Sequence, residues 1–289
     1  MALLMLFCTN LNAQSTFDNL ITTHFTVNAG PPASLTPTTG AMKTRLAQFH
    51  AACITAGISN PSSTTYFAGS GINIIKWGTG TQTLMQGGGT TSDCILIVTA
   101  AGASSAAGTT DMDDSTAYAR GGDAITFGAA PRGATATNTG ANSGGAEAYG
   151  GDGSSSGNGG DASADCDPGD AIAVGGNAAG SGNGGAGQAW AYGFATAIGG
   201  RAASGTGGTA IADSSNGDAT ATGGNASTGN GGVANAFGDT SAYAYGGNTT
   251  GNGGGQAVAE ADGYAYAEGG DVTGANPSGG GGAAHAESF

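Results

Sequence analysis

The sequence predicts a mostly β protein in which a small α+β domain precedes a Gly- and Ala-rich β-solenoid. Three observations lead to this prediction. Gly accounts for 60 of the 289 residues, about one in five against a usual share of roughly 7%. Ala alternates with variable residues over short stretches, which is the period of a β-strand. One motif returns about every 24 residues along the second half of the chain, and periods of this length are typical of solenoids.

Residues 1–14 predict an export signal. A short apolar run at Ala2–Cys8 is followed by polar residues, and Ala13 suits a signal-peptidase cut before Gln14. The alternative for this segment is a buried first strand. We therefore expect a secreted or cell-surface protein.

The cysteines extend this expectation. In an oxidising compartment Cys53 and Cys94 are expected to form a disulfide, which leaves Cys166 as an odd thiol. Asp165 and Asp167 flank Cys166, and two carboxylates beside a thiol raise its pKa and lower its reactivity. We interpret Cys166 as a turn residue rather than a reactive centre.

Residues 15–100 predict a small α+β domain. Apolar residues three or four apart predict a helix over Ala41–Ala56. β-Branched residues predict strands at Gly71–Trp77 and Cys94–Thr99. A polar linker is expected at 101–114.

Residues 115–289 carry the repeat, of about seven units. The motif Ala-x-Ala-x-Gly-Gly, followed by Asp, Asn or Arg, occurs at 117–123, 146–152, 171–177, 195–201, 219–225, 242–248 and 265–271. A Gly-rich stretch such as GNGG and a second Ala-x-Ala lie between most successive copies. Each unit therefore predicts a short strand, a turn, a second strand and a long Gly-rich turn.

The alternation predicts which face of each strand is buried. The constant Ala residues should point inward, and the variable residues should point outward. Gly and Asn at the corners are expected to supply positive φ. Coils of a parallel solenoid would stack about 4.8 Å apart. A silk-like antiparallel sheet of hairpins is the rival arrangement, and a collagen-like bundle is disfavoured because Gly is not at every third position.

The repeat units resemble a known family. AIAVGGN at 171–177 and ATAIGGR at 195–201 are similar to the Ala- and Gly-rich repeats in the heads of trimeric autotransporter adhesins, which are β-rolls on bacterial surfaces. The resemblance covers roughly residues 115–289. It implies a surface-exposed β-solenoid.

Charge and motifs exclude several functions. Six Lys and Arg face twenty Asp and Glu, for a formal net charge of −14, which opposes nucleic-acid binding. No apolar run of about 18 residues predicts a membrane span. GSSSG at 153–157 and GSGNGG at 180–185 match a nucleophile elbow and a dinucleotide loop only formally, because both lie in repeat turns. We expect no enzyme activity and no cofactor other than calcium in one alternative.

Two ligand hypotheses remain as alternatives. Repeated Gly-Gly-Asp/Asn corners are typical of calcium-binding β-rolls, and the candidate ligands are Asp123, Asp152, Asn177, Asn225, Asn248 and Asp271. The same residues favour turns without any metal. Ice binding needs a regular Thr ladder, and Thr220/Thr222 is the one outward Thr pair in the seven motifs.

The favoured hypothesis is an exported structural or adhesive protein that assembles with itself into a filament or surface layer. Ala284 and Ala286 begin a further coil with no visible cap before Phe289, and uncapped coil edges pair with other chains. Glycans or a host surface are further candidate partners. Outward-facing tyrosines are candidate surface contacts, and two sequons are candidate glycosylation sites; these residues are Tyr243, Tyr245, Tyr264 and Tyr266, and Asn225 and Asn248.

Overall fold

The computed structural model of the chain describes residues 19–28, 34–39, 45, 48, 52, 55–56, 72–78, 82–86, 94–99, 106–110, 116–121, 133–139, 144–154, 156–274 and 279–289. The predicted signal segment, Cys53 and Asp123 lie outside the described residues. The export signal, the Cys53–Cys94 disulfide and the role of Asp123 therefore stay predictions.

The N-terminal segment contains a short hairpin and helical positions. Residues 19–24 are helical and lead into β1 (Phe25–Asn28), which pairs antiparallel with β2 (Ser34–Pro37). Within the predicted helix at 41–56, the described positions 45, 48, 52 and 55 are helical. Arg45 of this helix donates to the carbonyl oxygen of Thr39 at 2.7 Å, just beyond β2.

Two parallel sheets of nine strands each form the solenoid in the described part of the chain. The first, here called the motif sheet because it contains the Ala-x-Ala-x-Gly-Gly strands, comprises β3 (Ile72–Gly78), β5 (Cys94–Thr99), β7 (Thr116–Arg120), β9 (Gly144–Tyr149), β11 (Gly169–Val174), β13 (Ala195–Ile198), β15 (Asp218–Thr222), β17 (Ser241–Tyr245) and β19 (Tyr264–Glu268). The second, here called the facing sheet, comprises β4 (Gln82–Gln86), β6 (Ala106–Thr110), β8 (Ala134–Asn138), β10 (Ala162–Cys166), β12 (Gly187–Ala191), β14 (Ala210–Ser214), β16 (Ala234–Gly238), β18 (Ala257–Ala261) and β20 (Ala284–Ser288). Each coil contributes one strand to each sheet.

The solenoid begins earlier than the repeat pattern indicates. Strands β3 and β5, which the sequence analysis assigns to a separate α+β domain, pair in the motif sheet with the repeat strands. Strand β6 lies within the predicted linker at 101–114 and pairs with β8. The sequence does not reveal that β3 and β5 belong to the solenoid, because they carry large apolar residues in place of the Ala-x-Ala motif. Backbone pairing between coils does not require that motif.

Alanine fills the space between the two sheets. Ala171 and Ala173 in β11 pair in register with Ala195 and Ala197 in β13, and all four side chains are at most 1% exposed. One cluster of buried residues, almost all of them Ala, runs from Ala117 to Ala261. The inward orientation predicted for Ala is confirmed, and the parallel pairing of the repeat strands excludes the hairpin arrangement.

Glycine backbones bond directly across the interior. The second Gly of each Gly-Gly pair alternates with a Gly of the following Gly-rich turn, so that each N–H donates to the carbonyl of the preceding member at 2.8 or 2.9 Å. We call this row the glycine ladder; it consists of Gly151, Gly160, Gly176, Gly185, Gly200, Gly208, Gly224, Gly232, Gly247, Gly255, Gly270 and Gly282. It holds together the side of the coil at which neither sheet supplies strand pairing.

Close approach, not backbone conformation, requires glycine in this ladder. A Cβ on Gly200 would lie 1.8 Å from the Gly176 carbonyl oxygen, and a Cβ on Gly224 would lie 1.9 Å from the Gly200 oxygen. Among the described glycines, only Gly169 has φ in the left-handed region, at +145°. The expectation that corner glycines supply positive φ is therefore wrong for the ladder, because the main chains of successive turns meet there with no room for a side chain.

We expect Gly208→Ala to lower the free energy of unfolding by about 3 kcal/mol, because overpacking forces the backbone apart. Its Cβ would lie 2.0 Å from the Gly185 oxygen. Gly280→Ala is the matched control, since nothing lies within 4 Å of a Cβ there, and its effect should stay within about 0.5 kcal/mol. Urea unfolding followed by circular dichroism compares the two; equal midpoints would contradict the steric role of the ladder.

Candidate functional site

The outer face of the motif sheet carries two regular columns of side chains. Strand register stacks Glu147, Ile172, Thr196, Thr220, Tyr243 and Tyr266 in one column, and Tyr149, Val174, Ile198, Thr222, Tyr245 and Glu268 in the other. These side chains are half-buried or exposed except Tyr149, which is buried. The outward orientation predicted for the variable residues is thus confirmed. From β11 to β17 neither column contains an Asp, Glu, Lys or Arg.

Four tyrosines form one cluster at the C-terminal end of this face. Tyr243 packs against Tyr264 and Tyr245 against Tyr266, each with ring centroids 5.8 Å apart and planes tilted by 45° and 48°. Tyr264 is 54% exposed and Tyr266 is 38% exposed. The four residues predicted as surface contacts therefore lie together, here called the tyrosine cluster.

Carboxylates flank the uncharged strip at both ends. Tyr266 donates from its hydroxyl to Glu268 at 3.1 Å, and this hydrogen bond raises the pKa of Tyr266. At the other end, Tyr149 donates to Glu147 at 2.6 Å. Burial raises the pKa of Glu147, and the hydrogen bond from Tyr149 partly offsets that rise.

The threonines of the strip bear on the ice-binding alternative. Thr220 and Thr222 lie between Thr196/Ile198 on one side and Tyr243/Tyr245 on the other. The two columns therefore offer a patch of three threonines rather than a ladder along the described solenoid. Ice binding stays a prediction with this patch as its basis.

The outer face of the facing sheet has a different character. Its register stacks acidic and aromatic side chains in one column, namely Asp165, Trp190, Asp213, Phe237, Glu260 and Glu287. A cleft of about 230 Å³ beside Trp190 and Tyr192 is lined by Asp165, Asp167 and Asp213. Sequence reasoning missed this column, although the second Ala-x-Ala of each unit could have revealed it by the same alternation.

The predicted calcium residues form a hydrogen-bonded row along one corner of the coils. Asp152 Oδ1 accepts from the backbone N–H of Asn177 at 2.7 Å, and Asn177 Oδ1 accepts from that of Arg201 at 3.0 Å. Beyond Arg201, Asn225 Oδ1 accepts from Asn248 N–H at 2.8 Å, and Asn248 Oδ1 from Asp271 N–H at 2.7 Å. We call this row the Asx ladder; Arg201 interrupts it because its side chain carries no oxygen.

A second row of this kind runs along the Gly-rich turns. Asn158 Oδ1 accepts from Asn183 N–H at 2.8 Å, Asn183 Oδ1 from Thr206 N–H at 2.8 Å, and Asn230 Oδ1 from Gly253 N–H at 3.0 Å. The repeated Asn of GNGG thus has a coil-to-coil bonding role. This role was not predicted from the sequence, because a turn preference alone explains Asn there.

The Asx ladder uses side-chain oxygens that the calcium hypothesis assigns to the metal. One side-chain oxygen of Asp152, Asn177, Asn225 and Asn248 is already bonded to a neighbouring coil, whereas calcium takes six to eight oxygen ligands. Within the described residues, no group of three or more His, Cys, Asp and Glu is placed to hold a metal ion. Calcium binding stays a prediction, and the hydrogen bonds give the Asx residues a structural role without it.

The two predicted glycosylation residues lie on the same corner. Asn225 and Asn248 are exposed and lie on successive coils. Their Oδ1 atoms belong to the Asx ladder, whereas glycosylation would modify the Nδ2 atoms. Glycosylation therefore stays a prediction that the exposure of both residues permits.

Cys166 is the last residue of β10, and its side chain is buried. It was predicted as a turn residue, but it lies in the strand that precedes the turn. Its thiol lies 3.6 Å from the Gly144 carbonyl oxygen and 3.7 Å from that of Pro168. Burial raises the pKa of the Cys166 thiol to about 12, and repulsion by Asp170, Asp165 and Asp167 adds to the shift. The sequence predicted the direction from Asp165 and Asp167, but burial is the larger cause. Ser214 occupies the same column and donates to the Gly193 carbonyl, so polar groups at this position satisfy the corner backbone.

The formal catalytic motifs lie in turns, as predicted. Gly157 N–H donates to the Ser154 carbonyl oxygen at 2.9 Å and closes a turn within GSSSG. Within GSGNGG, Gly184 N–H donates to the Thr206 carbonyl oxygen on the next coil, and Gly185 N–H donates to the Gly176 carbonyl oxygen in the same connection between β11 and β12. The backbone N–H groups of Gly157, Gly184 and Gly185 are therefore already hydrogen-bonded within the solenoid.

Comparison with known proteins does not add a relative. No protein-family model matches the chain, and neither the curated proteins nor the solved structures give a match. In the part of the chain that the structure describes, no helix is long and apolar enough to cross a membrane. The two stacked parallel sheets define the chain as a β-solenoid protein.

We expect Asn225→Ala to lower the free energy of unfolding by about 1 kcal/mol, because the Asn248 N–H loses its acceptor. Asn225→Asp should have a smaller effect, since Asp152 already accepts an equivalent bond at 2.7 Å. Thermal unfolding of both variants beside the parent chain measures the difference. Equal destabilisation by Ala and Asp would show that the ladder bond contributes nothing.

We expect the stability of the chain to fall at alkaline pH through Cys166. The unfolded thiol ionises with a pKa of about 8.5, whereas the folded thiol has a pKa of about 12. The contribution is fully present below pH 8.5 and is lost as pH rises towards 12, because the unfolded state then releases its proton first. Urea unfolding from pH 7 to 11 measures the fall, and Cys166→Ala should make it shallower. Identical pH profiles would contradict this assignment.

Proposed function

We propose that the chain is a structural repeat protein of the cell exterior that assembles end to end through the edge formed by β19 and β20. The observation that carries this proposal is the exposure of inward-facing alanines at this edge. All five residues of β20 are exposed, including the inward-facing Ala284 and Ala286. Their register partners in β18, Ala257 and Ala259, are at most 1% exposed.

The edge has the geometry of one more interface within the solenoid. Ala265 and Ala267 of β19 are only partly buried, although they stack on the fully buried Ala242 and Ala244. Edge strands offer unpaired N–H and C=O groups to another strand. A strand with the same alternation would bury these alanines and continue both sheets in register. A second copy of the chain supplies such strands and is the partner that we propose.

Charge sets the condition for this assembly. Glu268, Asp271 and Glu287 lie on the last coil, and the chain carries a net charge of −14. Like charges on two approaching copies repel at low ionic strength and are screened at about 0.15 M salt. End-to-end assembly should therefore increase with salt.

The extracellular location is supported by the sequence. The apolar segment at 2–8 followed by Ala13 is typical of an export signal. An extended rod that presents two regular faces is a common form for surface proteins, and the resemblance to adhesin heads agrees with it. Location is tested by fractionating cells of a bacterial expression host and probing for the full chain outside the cytoplasm.

We expect Ala286→Arg to prevent assembly, because its side chain projects into the proposed interface. His285→Arg is the matched control: it introduces the same residue in the same strand, but on the outward side. Multi-angle light scattering and negative-stain electron microscopy at 0.15 M salt should show elongated assemblies for the parent and for His285→Arg, and single short rods for Ala286→Arg.

Folding of the variants is monitored separately. Because β20 is exposed in the single chain, neither substitution should change circular dichroism or the unfolding midpoint measured under non-assembling conditions. A parent chain that stays dispersed at millimolar concentration and 0.15 M salt would overturn the proposal. Equal assembly of Ala286→Arg and the parent would place the contact elsewhere and would also overturn it.

A further inference from the structure

We propose that the outer face of the motif sheet binds an uncharged polysaccharide, with the tyrosine cluster as its stacking platform and Thr220 and Thr222 as neighbouring hydrogen-bonding groups. This site is distinct from the β19/β20 edge, because it uses outward side chains rather than backbone groups. It lies at the C-terminal end of the strip that runs from Ile172/Val174 to Tyr266.

The tyrosine cluster has the chemistry of a sugar-binding platform. A tyrosine ring offers an apolar face and a hydroxyl that donates and accepts hydrogen bonds, which matches the C–H faces and hydroxyl groups of a sugar. Tyr264 and Tyr266 are 54% and 38% exposed. Each ring also packs against a second tyrosine ring, with the two ring centroids 5.8 Å apart. The mutual packing holds the rings in place, so that little side-chain freedom remains to be lost on binding.

Charge selects an uncharged ligand for this face. The two columns from Ile172/Val174 to Tyr243/Tyr245 contain no Asp, Glu, Lys or Arg, in a chain of net charge −14. Beside the tyrosine cluster these columns contain one carboxylate, Glu268, which accepts a hydrogen bond from Tyr266. The column on the facing sheet instead contains Asp165, Asp213, Glu260 and Glu287. Anionic ligands are repelled by the chain as a whole, and cationic ligands are drawn to the facing sheet.

Regular spacing favours an extended polymer over a compact ligand. Successive coils repeat the same two outward positions about 4.8 Å apart, and the register is continuous from β11 to β19. A linear chain of sugars lying across the coils would contact the tyrosines and the threonines in succession. An isolated sugar would contact one ring pair only.

Binding is tested with a panel of uncharged polysaccharides, namely cellulose, chitin, xylan, mannan and β-1,3-glucan, with carboxymethylcellulose as the anionic comparison. The full chain carrying Ala286→Arg is used, so that end-to-end assembly does not enter the measurement. Pull-down with the insoluble polymers and affinity electrophoresis with soluble forms give the binding. We expect retention on at least one uncharged polymer and weaker retention on carboxymethylcellulose.

The variants locate the binding face. Tyr264→Ala/Tyr266→Ala removes one ring from each pair and should weaken binding about tenfold or more, whereas Tyr264→Phe/Tyr266→Phe should retain most of it. Trp190→Ala is the matched control, because Trp190 is a similarly exposed aromatic residue, 37% exposed, on the facing sheet. It should bind as the parent does.

Three results would overturn the proposal. The first is no binding to any polymer of the panel. The second is equal loss in Trp190→Ala and in the tyrosine variant, since the site would then not lie on the motif sheet. The third is lateral association of free chains that the tyrosine substitutions abolish, since the face would then bind a second copy. Assembly through β20 is measured independently of all three.

Discussion

The solenoid depends on the direct contact of glycine main chains across its interior. In the glycine ladder each N–H bonds to the carbonyl of the preceding member at 2.8 or 2.9 Å, and a Cβ would lie about 2 Å from the carbonyl oxygen of the member before that one. Backbone atoms therefore occupy the positions that large apolar side chains fill in an ordinary core. The free energy gained by burying apolar side chains is small for each core residue, because an Ala methyl contributes only about 0.8 kcal/mol.

Cohesion is therefore spread along the rod rather than concentrated at one centre. The strand pairs, the glycine ladder and the Asx ladder all join a coil to its immediate neighbours. Stability in such an array is close to a sum of units and interfaces, so a coil with only one neighbour is less stable than the rest. In the described coils the inward-facing alanines of β20 are exposed, and a further strand stacked on them would bury them.

The same construction leaves the outer faces free to specialise. Inward positions admit Ala and ladder positions admit Gly, whereas outward positions admit Tyr, Thr, Ile, Val, Trp, Phe and acids. The motif sheet consequently presents an uncharged strip ending in the tyrosine cluster, and the facing sheet presents acids that alternate with aromatic residues. Assembly through the β19/β20 edge would extend both faces into a second copy, which would join the structural and the adhesive aspects of the proposed function.

The sequence was enough to predict a mostly β repeat protein, the period of its units and the inward and outward faces of its strands, because Ala-x-Ala alternation is the pattern of a strand with one buried face. The parallel pairing that makes a solenoid rather than a sheet of hairpins is shown by the tertiary structure. The sequence also identified Tyr243, Tyr245, Tyr264 and Tyr266 as outward residues. Only the tertiary structure showed that they pair diagonally across coils, because a ring contact depends on register. The tertiary structure likewise shows that β3 to β6 belong to the solenoid. The repeat pattern does not reveal these strands, because they lack the Ala-x-Ala-x-Gly-Gly motif. The tertiary structure also explains why Gly is required in the ladder. The main chains of successive turns lie too close together there for any larger residue, and the composition does not reveal this distance.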